Sequence, residues 1–134
     1  GTVIPKEAND SFGILLKSDW EASGCLFLEF DVAMQRVSLL SLPMGVDPFW
    51  EQSCQAVPKA TEPGPDGVRV AEKTFAIENG VAIDVKISVD HDMVEVFVGE
   101  QVAFTYRIFR KPEYELGLLA QDAKVEFANI AIRK

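Results

Sequence analysis

Hydrophobic and polar residues alternate along most of this chain. The clearest run is VAIDVKISVD, where Val81, Ile83, Val85, Ile87 and Val89 alternate with Ala82, Asp84, Lys86 and Ser88. A strand turns successive side chains to opposite faces, so strict alternation predicts one face in a core and one in water. MVEVFV (Met93 to Val98) and VAFTYRIF (Val102 to Phe109) continue the pattern, the second placing Val102, Phe104, Tyr106 and Ile108 on one face. Gly99-Glu100-Gln101 between them predicts a hairpin connection in which Gly99 takes a positive φ. FGILLK, CLFLEFD and RVSLLS upstream, and YELGLLA and VEFANIAIR downstream, read as further strands. Asp90-His91-Asp92 and Gln121-Asp122-Ala123 read as turns. No stretch of ~11 or more residues carries a helical stripe. Many short strands with turn signals every ~8–12 residues predict an all-β antiparallel sandwich or barrel.

Residues 42–67 break this rhythm. They hold Pro43, Pro48, Pro58, Pro63 and Pro65 together with Gly45, Gly64 and Gly67. Proline cannot donate to a ladder, so a long connection is expected here, and connections of that length are usually functional or covering. At 134 residues, 48% hydrophobic and 25% charged, the chain has the makings of one globular domain. Such a length buries a core without disulfides or metal. No apolar run approaches the ~20 residues of a membrane span. The opening GTVIPKEANDSFG lacks the basic-then-apolar order of a signal peptide.

Charge narrows the partners. The 13 basic and 21 acidic residues give a net charge of −8, with 4 basic and 10 acidic in residues 1–67 and 9 and 11 in residues 68–134. An acidic surface without a basic stripe repels phosphate backbones and anionic headgroups, so neither nucleic acid nor a membrane is an expected partner. Neutral ligands, sugars foremost, stay open. Any histidine chemistry would have to use His91, the one histidine, and Cys25 and Cys54 have no metal-ligand spacing. No cofactor or metal is expected. Cys25, inside CLFLEF, reads as a buried thiol, with a Cys25–Cys54 disulfide as the alternative in an exported protein.

The run AIDVKISVDHDMVEVFVGEQVAFTYRIFR carries a resemblance. Val89-Asp90, then Val94-Glu95-Val96-Phe97, a Gly turn and Thr105-Tyr106-Arg107-Ile108 resemble the C-terminal β-sandwich of family 32 glycoside hydrolases, the invertases, levanases, inulinases and fructanases. The ending ELGLLAQDAKVEFANIAIRK resembles their last two strands, and FGILLKSD with CLFLEFDVAMQRVSLL, including the turn from Asp31 to Val37, resembles their opening ones. The resemblance spans roughly residues 12–134 and is specific over 83–134. It implies a two-sheet antiparallel β-sandwich of lectin-like, jelly-roll type with about ten to twelve strands. It also implies that the chain is the C-terminal module of a larger fructan- or sucrose-hydrolysing enzyme, partnered with a catalytic β-propeller of the same protein. In that family the nucleophile lies in a Trp-x-Asn-Asp-Pro-like motif, the stabilising acid in Arg-Asp-Pro and the acid/base in Glu-Cys. None of these strings occurs in this chain. A retaining glycosidase needs two carboxyls about 5–5.5 Å apart, and no pair here is marked. The chain alone is therefore expected to be non-catalytic.

Four residues stand out as candidates for sugar contacts. Trp20, in SDWEASG, and Trp50, in DPFWEQS, sit in expected loops, where an aromatic face would stack on a sugar ring. Either tryptophan would equally well plug a loop onto the sandwich or onto a catalytic domain. Glu95 shares a strand face with Met93 and Phe97 and is expected to be partly desolvated unless paired. Arg107, on the next strand, falls beside it directly or diagonally, which allows either a structural pair or a clamp for sugar hydroxyls. Both positions recur in the resembling family. Free-standing relatives of the sandwich, the family 66 carbohydrate-binding modules, bind terminal fructose, which makes a fructan-binding module the second expectation. His91 between two aspartates reads as a plain turn, and Asp31 with Arg36 as a local ion pair across a hairpin. A docking module would show an exposed apolar patch, and a binding module a concave site with an exposed aromatic and converging polar groups.

Overall fold

The alternating stretches form strands wherever their apolar face finds a partner. In the computed structural model, which describes residues 1–19, 24–42, 68–91, 93–107 and 115–133, there is no helix among the described residues. The strands are β1 (Thr2–Ala8), β2 (Ser11–Asp19), β3 (Gly24–Asp31), β4 (Arg36–Leu42), β5 (Val68–Thr74), β6 (Ile83–Asp90), β7 (Met93–Val98), β8 (Val102–Arg107), β9 (Glu115–Ala120) and β10 (Ala123–Ala128). They build two five-stranded sheets: sheet I in the order β10-β1-β6-β7-β8, and sheet II in the order β5-β4-β3-β2-β9. Every pairing is antiparallel. The sheets stay separate, so the fold is a β-sandwich rather than a barrel.

The core lies between them. Val3, Ile83, Val85, Val94, Val96, Val98, Val102 and Phe104 of sheet I face Phe12, Leu16, Leu26, Leu28, Phe30, Val37 and Leu39 of sheet II, all buried. The Phe12 and Phe30 rings stack at 5.1 Å, and Phe75 meets Phe30 edge-on at 6.4 Å. Such aromatic pairs contribute about 0.5–1.5 kcal/mol beyond their area. Phe75 and Ile77 belong to the segment that crosses from sheet II to sheet I, and Gln35 fastens that crossing. Gln35 sits in the β3–β4 turn at φ 48°. Its carbonyl accepts from Phe75 N at 2.9 Å, its Oε1 accepts from Ile77 N at 2.8 Å, and its Nε2 donates to Val32 O and Ile77 O at 2.9 and 3.1 Å.

The expected alternation holds where the opposite sheet covers it. Ile83 and Val85 are buried and Ile87 half-buried, whereas Val81 and Val89, at the two ends of the run, are exposed. Gly99 takes φ 55° in the β7–β8 turn, as the hairpin requires. The last strand is shorter than VEFANIAIR suggests, because Asn129 turns to φ 54° and ends β10 at Ala128. Two strands escape the pattern reading. β1 contains Pro5, which is tolerated because the β1–β10 register shifts between Pro5 and Glu7. β5 carries an extra residue against β4, between the pairs Leu39↔Ala71 and Leu40↔Arg69, so its period of two is broken.

Candidate functional site

Trp20 and Trp50 lie outside the described residues, as do Cys54 and most of the expected connection at 42–67. The segment carrying Trp50 leaves β4 and returns at Val68, and these two strands are neighbours in sheet II. Glu95 and Arg107 are both on the outward face of sheet I. Glu95 stands opposite Ser88 and Thr105, and Arg107 stands opposite Met93, so the two are diagonal neighbours. Glu95 is exposed, because Met93, Glu95 and Phe97 point to water while Val94, Val96 and Val98 fill the core. The partial desolvation expected from its apolar neighbours is therefore absent. His91 forms a turn at φ 54°, with Nδ1 2.6 Å from Asp90 Oδ1 and both side chains in solvent. Among the described residues no group of three His, Cys, Asp or Glu side chains is arranged to hold a metal.

The outer face of sheet I also holds a shallow depression of about 310 Å³, lined by Thr2, Asp84, Lys86, Phe97 and Asn129 among others. Phe97 is 41% exposed there, and Thr2 Oγ1 donates to Asp84 Oδ1 at 3.2 Å. An exposed aromatic beside a carboxylate, an ammonium and an amide suits a polar ring.

A different cluster, which the pattern reading glimpsed only at Asp31 and Arg36, occupies the outer face of sheet II. The register aligns Glu29 and Asp31 of β3 with Ser38 and Arg36 of β4, and Ser38 with Glu72 of β5. The β5 bulge brings Arg69 onto the same face, although strict alternation would put residues three apart on opposite faces. Arg36 reaches Asp31 Oδ2 through Nη2 and Glu72 Oε2 through Nη1, each at 3.2 Å. Arg69 reaches Glu29 Oε1 through Nη2 at 3.2 Å, and its Nε lies 3.3 Å from Ser38 Oγ and 3.6 Å from Glu72 Oε2. The row therefore runs Asp31–Arg36–Glu72–Arg69–Glu29 across three strands. Glu29 is half-buried, and burial pushes its carboxyl above the usual value of 4.5, an effect that the neighbouring Arg69 opposes. Among the described residues Arg36 Nε is buried without a hydrogen-bond partner.

Exposed apolar side chains occur elsewhere. β9 is an edge strand of sheet II and β10 an edge strand of sheet I. Leu116 and Leu118 pair with Leu16 and Ile14, so they share the inward face of sheet II, yet they are 41% and 45% exposed. Past β10 the chain runs beside Gly1, and Ile130 and Ile132 there are exposed at 50% and 70%.

The fold has known counterparts. A carbohydrate-binding module CBM66 from Bacillus subtilis superposes with a TM-score of 0.61 at 12% identity, over 92% of this chain and 66% of that one. A Dario rerio galectin-1-L2 gives 0.59 at 14% identity over 98% and 86% of the two chains, and ligand-free congerin I gives 0.59 at 14% over 94% and 84%. At these identities the likeness is one of fold, a lectin-like β-sandwich. No curated protein sequence matches the chain. The family model described as glycosyl hydrolases family 32 C terminal matches residues 4–134, from the third residue of β1 through every later strand. The chain thus belongs to the C-terminal family of the family 32 glycosyl hydrolases.

Proposed function

We propose that the 134 residues form one non-catalytic module, the C-terminal β-sandwich of a glycoside hydrolase acting on fructans or sucrose, and that it supports a catalytic β-propeller of the same protein. The carrying observation is the family match over residues 4–134. Two exposed apolar positions supply candidate contacts: Leu118 on the edge strand β9 and Ile132 past β10 keep apolar area in water that a packed neighbour would remove. In the full-length hydrolase, Leu118→Glu and Ile132→Glu are expected to lower the melting temperature and the activity on sucrose or levan. In the 134-residue chain Ile132→Glu is expected to cost under ~1 kcal/mol, since that side chain is 70% exposed, and Leu118→Glu, on the inward face beside Ile14, about 1–2 kcal/mol. Equal losses in both settings would make these residues part of the sandwich's own core and remove the docking role. Purified chain is expected to turn over neither sucrose nor levan; turnover abolished by replacing one carboxylate would overturn the non-catalytic assignment.

The second reading is a module that binds fructose-containing glycans. The exposed Phe97 among Thr2, Asp84, Lys86 and Asn129 favours it. So does the fold shared with a module that is named as carbohydrate-binding. Trp20, Trp50, Glu95 and Arg107 remain its proposed contacts. Tryptophan fluorescence titrated with fructose, sucrose, levan and inulin tests it. A saturable change lost in Trp20→Ala or Trp50→Ala supports a tryptophan platform, and no change at millimolar sugar removes one.

A further inference from the structure

Sheet I keeps an unfilled ladder edge at the head of β1. Gly1 and Val85 exchange both backbone hydrogen bonds, Gly1 N donating to Val85 O at 2.9 Å and Val85 N to Gly1 O at 2.8 Å. This pair continues the register Val3↔Ile83 and Thr2↔Asp84. Hydrogen-bonded and non-hydrogen-bonded pairs alternate in an antiparallel ladder, so Val85, Ile87 and Val89 turn their N–H and C=O groups to the β1 side. The residues between them serve β7: Asp84 O accepts from Gly99 N at 2.7 Å, and Lys86 and Ser88 stand opposite Phe97 and Glu95. β6 runs on to Asp90, yet among the described residues its pairing on the β1 side stops at Gly1. Ile87 and Val89 therefore present an open edge.

The surroundings of this edge fit one more length of strand. Along the inward face of β6, burial fades from Ile83 and Val85 through half-buried Ile87 to exposed Val89. It fades where β1 ends, although β7 accompanies β6 to Asp90 on the other side. Across from β6, Ile130 Cα lies 3.6 Å from the point where a Cβ on Gly1 would stand, so the line of β1 is bounded on both sides. The outer-face depression lined by Gly1, Lys86, Phe97 and Asn129 opens at the same point. An unpaired edge takes a further strand through main-chain hydrogen bonds, with side chains alternating between the faces. We propose that the residues directly ahead of Gly1 in the full-length hydrolase lengthen β1 along β6, the second pairing with Ile87 and the fourth with Val89. Those two turn inward, and the first turns outward beside Lys86. Continuity selects this occupant, because Gly1 already holds the register. The proposal rests on the reading of the chain as a C-terminal module, and it makes the connection to the catalytic domain part of sheet I.

The test is disulfide trapping in the full-length hydrolase. The residue directly ahead of Gly1 falls opposite Lys86 in a non-hydrogen-bonded pair, where Cα atoms approach to about 4.5 Å and a disulfide can close. A cysteine there, combined with Lys86→Cys at an exposed position, is expected to cross-link on mild oxidation, with the bond read by peptide mapping. The same cysteine combined with Ser88→Cys, two residues out of register, is expected to cross-link at least about tenfold more slowly. Hydrogen exchange at single-residue resolution is expected to find the Ile87 and Val89 amides as slow as those of Lys86 and Ser88, which β7 holds. The proposal is overturned by absence of the Lys86→Cys cross-link, by an equal rate at Ser88→Cys, or by Ile87 and Val89 amides exchanging about tenfold faster than their neighbours. Activity of the unaltered protein on sucrose or levan keeps the two readings apart. An active enzyme without the cross-link loses only the added strand, and an inactive one loses the hydrolase reading and the proposal with it.

Discussion

Gly13 offers a sharp test of how closely the strands beneath the charged row approach. It sits in β2, paired with Glu29 of β3 on one side and Leu119 of β9 on the other. A methyl group at this position would run into the carbonyl oxygen of Leu28 and lie 2.8 Å from Cε2 of the Phe27 ring. Neither neighbour can yield easily. The carbonyl belongs to the backbone of a strand paired on both sides, and Phe27 is 4% exposed. Overpacking of this kind costs about 1–3 kcal/mol, and a backbone obstacle puts Gly13→Ala at the upper end. Loss of glycine's freedom in the unfolded chain returns about 0.4–1 kcal/mol. The net expectation is a destabilisation of about 2 kcal/mol. An unfolding entropy near ~2 cal/mol/K per residue amounts to about 0.3 kcal/mol/K for a chain of this length, so the melting temperature should fall by about 7 °C. Gly117→Ala is the internal comparison, because its new methyl would meet only side-chain atoms of Leu15, the nearest at 3.2 Å. It should cost under ~1 kcal/mol. Calorimetric melting of the three proteins decides the matter. A Gly13→Ala protein melting within about 2 °C of the parent, or below which Gly117→Ala falls, would refute the close approach of β2 and β3.

Other outcomes follow from the same geometry. Gln35→Ala removes the side-chain bonds to Ile77 N, Ile77 O and Val32 O, and should destabilise the chain by about 2 kcal/mol, measurable by urea denaturation. A loss below about 0.5 kcal/mol would mean that the crossing segment is held by Phe75 and Ile77 alone. Glu29 has a raised folded-state value, so the folded chain binds its proton more tightly than the unfolded chain does. Wild-type stability relative to Glu29→Gln should therefore rise as pH falls from about 7 through the raised value toward the ordinary glutamate range, and level off below it. Paired thermal melts across that range check the sign, and a difference that is flat or falls with acid contradicts the burial of this carboxyl. Gly99→Val, forced to φ 55°, should cost about 1–3 kcal/mol by the same melts, whereas Glu100→Ala in the same turn should be near neutral.

Legibility in the sequence followed locality. β6, β7 and β8 were plain because their alternation is strict and their partners are adjacent in the chain, joined by a turn whose glycine has the positive φ that the spacing demands. β1 was hidden by Pro5 and by the polar Lys6-Glu7, which only the bulge against β10 reconciles with a strand. β5 was hidden because its extra residue breaks the period of two just where Val70 and Ala71 turn inward. The ion pair of Asp31 with Arg36 was readable, since the two bracket one hairpin. The rest of the row was not, because Glu29, Glu72 and Arg69 come from separate strands and Arg69 owes its direction to the bulge. Glu95 and Arg107 were placed on neighbouring strands correctly, but the side of the sheet they occupy depended on Val94, Val96 and Val98 claiming the core. The exposure of β9 was equally hidden, because YELGLLA looks like any buried strand until its place at a sheet edge is known.

The most direct test of the supporting role is hydrogen exchange on the 134-residue chain alone and within the full-length hydrolase. The account expects the amides of β9, β10 and the segment through Ile132 to gain protection in the full-length protein, with β7 and β8 unchanged. Identical exchange over residues 115–133 in both would contradict a catalytic partner packed there.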